Sequence, residues 1–258
     1  MPAGRVASVG PMNRFEGKAV LLTGAASGMG RATARRLTAE GAAVFGVDRD
    51  EAGLGHTAGE IGSGRFVPHV ADVSDEQAVI AAVAAAREQL GGLDVLANVA
   101  GIQRTTPLAT LTVAELQELF AVNTIGTALF CREAALHLPD HTGVIVNIAS
   151  SAATHGHQYM AAYAASKGAV LALTQTLAAE LAPRGIRVLA ISPGGVRTPL
   201  TAKVTFPEDA DRSYYGRVLP LLGFGEPEDV AAAIAFAASA DGRYWTGSEL
   251  RLDGGSHI

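Results

Sequence analysis

Residues 18–37 read KAVLLTGAASGMGRATARRL, and the order of residue types in that stretch decides the architecture. An apolar run, 18–23, passes directly into a turn with three glycines, and an alanine-rich segment with helical spacing, 29–40, follows. Gly24 permits the tight turn, Gly28 lets the backbone approach a phosphate, and Gly30 allows the helix to lie close on the strand. Ser27 and Met29 complete the turn. Amides at the start of a helix have no partner within it and face outward, where an anion can accept from them.

The same alternation continues outward from this unit. Apolar runs recur at 42–48, 65–70, 93–100, 143–150, 186–192 and 248–253, and helical segments fit at 75–90, 112–138, 161–182 and 227–239. Near-continuous apolar strands separated by helices predict a parallel sheet covered on both faces. Right-handed crossovers then make it doubly wound, an α/β fold of seven strands. The opening residues, 1–13, read as a flexible tail, and 14–258 as a single domain. Within it, 198–226 carries three prolines and no clean period, the mark of a lid.

Composition narrows the function classes. With 48 % hydrophobic and 17 % charged residues, a large core can be buried. A net charge of −5 without a basic block argues against nucleic acid and against an anionic membrane as partner. The lone Cys131 excludes an internal disulfide and any multi-cysteine metal site, and reads as a small buried hydrophobe. No apolar run approaches a bilayer span and the start lacks an export pattern, so the expectation is a cytoplasmic protein.

Two features carry chemistry. Asp48 closes the second apolar run at about the 20-residue spacing at which an acid binds the adenosine ribose of a dinucleotide. A carboxylate there accepts from both ribose hydroxyls and repels a 2′-phosphate, which favours NAD over NADP. Arg49 beside it is the group that would welcome that phosphate. The second feature is AAYAASKGAV, 161–170. The chain has only three lysines, Lys18, Lys167 and Lys203, and Lys167 stands one helical turn after Tyr163. A phenol with an ordinary pKa near 10 is too weak an acid for proton exchange at neutral pH, and an ammonium nearby, together with an oxidised nicotinamide ring, is expected to lower it. Ser150, at the end of the fifth strand, can bond the same substrate oxygen. Strand alternation is expected to turn its neighbour Ser151 elsewhere.

These motifs occur together and in order: TGAASGMG (23–30), Asp48, Asp72-Val73, NVAG (98–101), Asn123, Ser150, YAASK (163–167), SPGGVRT (192–198) and LDGG (252–255). In this the sequence resembles the short-chain dehydrogenase/reductase family over essentially all of 14–258. The resemblance implies a Rossmann-type sheet and a role for each matching residue. Tyr163 is the general acid/base, and Lys167 binds the nicotinamide ribose and lowers the tyrosine pKa. Ser150 steadies the substrate oxygen, and Asn123 helps hold a water in a proton relay. Asp72 and Val73 lie against adenine, and Asn98, with Ala100 and Gly101 after it, braces the strands near the cofactor. Pro193, Gly194, Val196 and Thr198 border the nicotinamide. Val99 and Leu189 depart from the asparagines frequent in the family and put local packing, not chemistry, in question.

On the substrate side, SAATHGHQYMAA (151–162) is expected to border the pocket, with His157, Gln158 and Tyr159 as its candidate lining. His155 and His157 have no third ligand nearby in sequence and read as polar loop histidines, not a metal pair. The lid adds Tyr214, Tyr215, Leu219 and Leu222. The resulting reading is an NAD(H)-linked enzyme interconverting a secondary alcohol and a ketone, expected as a homotetramer. An NADPH-linked 3-oxoacyl thioester reductase, and a dinucleotide-binding sensor or scaffold without turnover, are the alternatives.

Overall fold

The chain's computed structural model describes residues 13–62, 64–207, 210, 213 and 219–257. The anticipated seven strands form: β1 (Ala19–Thr23), β2 (Ala43–Asp48), β3 (Phe66–Val70), β4 (Val95–Asn98), β5 (Val144–Ile148), β6 (Arg187–Pro193) and β7 (Glu249–Leu252). They lie in one parallel sheet in the order β3-β2-β1-β4-β5-β6-β7. The chain direction across the sheet therefore reverses between β1 and β4, and a crevice opens beyond the carboxyl ends of those strands.

The pleat sorts side chains between two cores. Val20, Leu22 and Val44 point to one face, beneath α1 (Gly28–Ala39), α2 (Glu51–Ile61) and, later in the chain, a helix over Pro227–Ala238, through Leu37, Leu54 and Ile234. Leu21, Phe45 and Val47 point to the other, beneath α3 (Glu76–Leu90) and the helices that follow β4 and β5, through Val83, Phe130 and Ala178. Leu189, one of the two departures from the family pattern, is fully buried in the first core, where an asparagine side chain would need a polar partner.

Two helical features differ from expectation. Helix α2 was not anticipated, because EAGLGHTAGEI carries three glycines that lower its propensity. Its ends hold it: Asp50 accepts from the Gly53 amide, Gly62 closes it in the left-handed conformation, and Leu54 and Thr57 are buried. The long helix predicted over 112–138 is instead α4 (Val113–Phe120), a π-helical turn (Ala121–Gly126) and α5 (Thr127–Ala135). A period-based reading cannot see such an inserted residue. The remaining α-helices among the described residues are α6 (Ala161–Leu181) and α7 (Pro227–Ala238). Among the described residues, no helix is long and apolar enough to cross a membrane.

Candidate active site

The first of two adjoining clefts, about 190 Å³, lies at the carboxyl ends of β1, β2 and β4. Its floor is backbone. A Cβ on Gly24 would stand 2.7 Å from the Ala100 nitrogen, and one on Gly30 would stand 1.9 Å from the Gly24 oxygen. Neither position tolerates a side chain, and Gly24 also takes φ 74°. Ser27, Gly28 and Met29 line the same cleft. Ser27 makes no side-chain cap to α1, and the first turn holds no acid, so the leading amides of this helix have no side-chain acceptor. That is the electrostatics of an anion site.

Asp48 and Arg49 form the far wall, with Asp72 and Val73 beside them. Asp48 is oriented by its own neighbourhood: the Ala26 amide donates to Oδ2 (3.1 Å) and the Asp50 amide to Oδ1 (3.0 Å). The Asp72 carboxyl lies below its ordinary pKa, chiefly through the Ser74 hydroxyl (2.6 Å) and amide (2.9 Å), with Arg49 adding attraction. Ala100, Gly101 and Thr198 close the cleft. The residues present fit a dinucleotide: capless helix amides for a pyrophosphate, and a fixed carboxylate for a ribose diol.

The near wall is aligned from beneath. Thr23 Oγ1 accepts from the amides of Val99 and Ala100 (both 3.1 Å), aiming the turn after β4. Val99, the second departure, is buried and makes up wall shared by the two clefts. Asn98 lines neither cleft. Its Nδ2 donates to Asn147 Oδ1 (2.9 Å), and Asn147 in turn donates to Thr174 Oγ1 (3.0 Å), tying β4 to β5 and α6. Cys131 lies against this chain, and burial pushes its thiol up to about 12.

The second cleft, about 410 Å³, brings Ser150, Tyr163 and Lys167 together. Pro193, Gly194 and Val196 border it, and Met29, Gly101 and Thr198 join it to the first. Ser150 acts on the Tyr163 phenol so as to favour its charged form, and its Oγ accepts from the Ala152 amide (3.2 Å). Ser151 lines the cleft as well, against expectation. The strand ends at Ile148 and Ser151 opens a 3-10 turn, so the two-residue alternation no longer applies.

Tyr163 is held above its ordinary pKa by burial, with Ser150 acting in the opposite direction. Lys167 is itself pushed down to about 8 by burial, and its Nζ donates to the Ile148 carbonyl (2.8 Å). Desolvation disfavours the charged form of both, and it outweighs their mutual influence.

Asn123, on the π-helical turn, is fully buried and lines neither cleft. It brackets Ile102, accepting from its amide (2.8 Å) and donating to its carbonyl (2.9 Å), and it also donates to Ser166 Oγ (3.0 Å). It thus locks the turn after β4 to α6 directly beneath the site.

Of the three substrate-side candidates, His157 and Gln158 line the second cleft and Tyr159 does not. Tyr159 takes φ 62°, and its carbonyl accepts from the Thr106 amide (2.6 Å). The fold also brings in His257, which no local pattern announced. It stacks on His155 (ring centroids 4.7 Å apart) and meets His157 edge-on, Nε2 to Nε2 at 3.1 Å. Arg251 stands 2.8 Å from His155 Nε2, and no group of three or more metal-ligating side chains among the described residues is set to hold an ion. Burial, then His257 and His155, push His157 down to about 4. Within 198–226, Leu219 lines the cleft and Leu222 does not, while Tyr214 and Tyr215 lie outside the described residues. Ile102, Met160, Leu200, Val204, Phe206 and Phe224 add apolar wall; all but Ile102 fall in the two segments, 151–162 and 198–226, expected on the substrate side, though none was singled out.

A doubly wound sheet with a glycine-floored anion cleft, and a buried Ser–Tyr–Lys cluster beside it, define a dinucleotide-binding oxidoreductase. A family model described as enoyl-(acyl carrier protein) reductase matches residues 24–257. The chain is 42 % identical over 246 residues to 3beta-hydroxysteroid dehydrogenase 1 of Eggerthella lenta, covering 93 % of this chain and 94 % of that protein. It is 37 % identical over 245 residues to the 3-oxoacyl-[acyl-carrier-protein] reductase FabG of Thermotoga maritima, covering 94 % and 98 %. Among solved structures, a short-chain dehydrogenase from Burkholderia cenocepacia in complex with NADP is similar, with TM-score 0.86, 35 % identity and coverage of 95 % and 100 %. The chain belongs to the short-chain dehydrogenase/reductase family, oxidoreductases acting on CH–OH groups.

Proposed function

We propose that the chain interconverts a secondary alcohol and a ketone with NAD(H), acting as a cytoplasmic homotetramer. The observation that carries this reading is the buried Tyr163 phenol, which lines the apolar cleft together with Ser150 and Lys167, next to the glycine-floored one. A bound nicotinamide dinucleotide supplies the carbon that takes or gives hydride and, when oxidised, a ring charge that favours the phenolate. Tyr163 takes the hydroxyl proton at its phenolic oxygen in oxidation and returns it in reduction. Ser150 holds the substrate oxygen against that phenol. Lys167, anchored on Ile148, stands ready to pass the proton onward, and Asn123 positions the Ile102 turn above it. Gly24, Ser27, Gly28, Met29 and Gly30 cradle the pyrophosphate, and Asp48 reads the ribose.

The NAD preference rests on Asp48, whose two oxygens are already oriented toward the cleft by backbone amides. A second reading, an NADPH-linked reductase of 3-oxoacyl thioesters, draws on Arg49, which is exposed on the same wall, and on the identity to the Thermotoga reductase. Titration with NADH and with NADPH, followed by nicotinamide fluorescence, separates them. Tighter NADH binding supports the first reading, tighter NADPH binding the second, and binding of neither overturns both. The tetramer draws on Ile125 and Leu136, apolar side chains exposed on the segment between β4 and β5. Light scattering that returns a monomer mass removes it.

A further inference from the structure

We propose that His257 is a positioning residue of the second cleft: it ties the wall segment that carries His157 to the segment 219–224, and only while the facing imidazoles are uncharged, so this side of the cleft loosens in mild acid. That the tie serves a substrate rests on the reading of Ser150 and Tyr163 as the reacting end.

Two stretches of the cleft wall come from segments outside strand and helix: His157, Gln158 and Met160 on one, Leu219, Pro220 and Phe224 on the other. Residues 253–257, which follow β7, touch both. On one side the Gly254 carbonyl accepts from the Leu222 amide (3.1 Å). On the other the His257 ring stacks on His155, and its Nε2 faces that of His157 at 3.1 Å. The root of the segment is fixed: the Leu252 carbonyl accepts from the Gly194 amide (3.0 Å), and the Ser256 hydroxyl donates to the Asp253 carbonyl (2.9 Å). His257 takes φ 65°, a left-handed conformation uncommon for a residue with a side chain, so its surroundings hold it there.

The hydrogen count makes this tie sensitive to charge. Arg251 Nη1 stands 2.8 Å from His155 Nε2, and a guanidinium only donates. That nitrogen therefore accepts, and neutral His155 carries its proton on Nδ1, 3.0 Å from Thr154 Oγ1. Between His157 and His257, one Nε2 donates and the other accepts. A first added proton puts a cation against His155 and Arg251, and a second leaves two N–H donors facing each other. Asp253 offers little relief, because Arg251 Nε already pairs with its Oδ2 (2.9 Å), and residues 219–224 bring no charged group. Burial first, then the neighbouring imidazoles, push His157 down to about 4 and move His257 in the same direction. The tie is thus complete above the ordinary histidine value of about 6.5 and is lost as pH falls toward 4. For His157 alone, opening is favoured about thirtyfold more at pH 5.0 than at pH 7.5.

The test is hydrogen–deuterium exchange of the purified full chain at pH 7.5 and 5.0, corrected for the intrinsic pH dependence of amide exchange. It is read on peptides spanning 153–160, 219–224 and, as a control, 19–39. In the wild type the Leu222 amide is expected to exchange about thirtyfold faster at pH 5.0, with 153–160 loosening alongside it and 19–39 unchanged. His257→Ala is expected to reach the acid rate already at pH 7.5. His157→Gln keeps a neutral side chain that can still bond His257, and is expected to retain protection at pH 7.5 and to cut the acid effect to a few-fold. A Leu222 rate independent of pH in the wild type overturns the proposal. So does His257→Ala without effect at pH 7.5, or loosening of 19–39 in step with 219–224, which is acid unfolding of the whole fold. None of these readings uses substrate or coenzyme, so the tie can fail while the dehydrogenase stands, and a failure of turnover leaves the tie standing.

Discussion

Lys167 Nζ donates 2.8 Å to the carbonyl oxygen of Ile148, so the lysine is anchored to the last residue of β5, immediately before the loop that carries Ser150. The bond links the helix carrying Tyr163 to the strand leading to Ser150, and it is made by a fully buried ammonium pushed down to about 8.

This has a consequence for stability against pH. The folded pKa of Lys167 lies below its ordinary 10.5, so between pH 8 and 10.5 the unfolded chain holds a proton that the folded chain has released. Stability therefore rises with pH across that window, by a contribution on the order of 3 kcal/mol. Tyr163, raised above 10, opposes it only at the alkaline end. Urea unfolding at pH 7.5, 8.5 and 9.5 is expected to show the rise, and Lys167→Met is expected to abolish it together with turnover. A wild-type curve that is flat across the window would contradict the burial of the ammonium.

Removing the phenolic oxygen isolates the proton step. Tyr163→Phe keeps the ring in its buried place and is expected to lower kcat by about 10²–10⁴ while leaving dinucleotide affinity within a few-fold. Retained turnover at neutral pH would assign the acid/base role to another group.

Coenzyme choice is expected to turn on Asp48. Asp48→Ser deletes the charge that opposes a 2′-phosphate and leaves Arg49 in place, and NADPH affinity is expected to rise about tenfold relative to NADH. A small loss of stability should accompany it, because the amides of Ala26 and Asp50 lose their acceptor. An unchanged ratio in fluorescence titration would move coenzyme recognition elsewhere on the wall.

Gly30→Ala is a steric test of the first cleft. The added Cβ would stand 1.9 Å from the Gly24 oxygen, and nothing there is a flexible side chain that could yield. Thermal melting is expected to show a loss of about 3 kcal/mol or failure to fold. Wild-type stability would mean that α1 can slide on β1.

The sheet was legible because its central strands are buried on both faces and read as apolar runs, and because Gly24, Gly28 and Gly30 have steric reasons to be glycine. Asp48, Ser150, Tyr163 and Lys167 were legible for a related reason, since each stands at a strand end or on a helical turn that periodicity locates. Three things were hidden. Helix α2 depends on end-capping by Asp50 and Gly62 more than on its glycine-bearing interior. The direction of the Tyr163 shift depends on desolvation, which has no signature in spacing. His257 reaches His157 across a hundred positions that only the folded chain brings together.

The two clefts are built from different materials. The first has a floor of backbone at the β1 and β4 turns, where Gly24 and Gly30 leave no room for a side chain. The second is walled by side chains from loops that carry no strand or long helix, such as Ile102, Val204 and Phe224. Exchange of a few of these leaves the sheet, the proton-handling groups and the coenzyme cradle untouched. The scaffold can thus be readdressed to a new carbon skeleton by drift in its loops, and two proteins each about 40 % identical to this chain bear names as far apart as a steroid dehydrogenase and an acyl reductase.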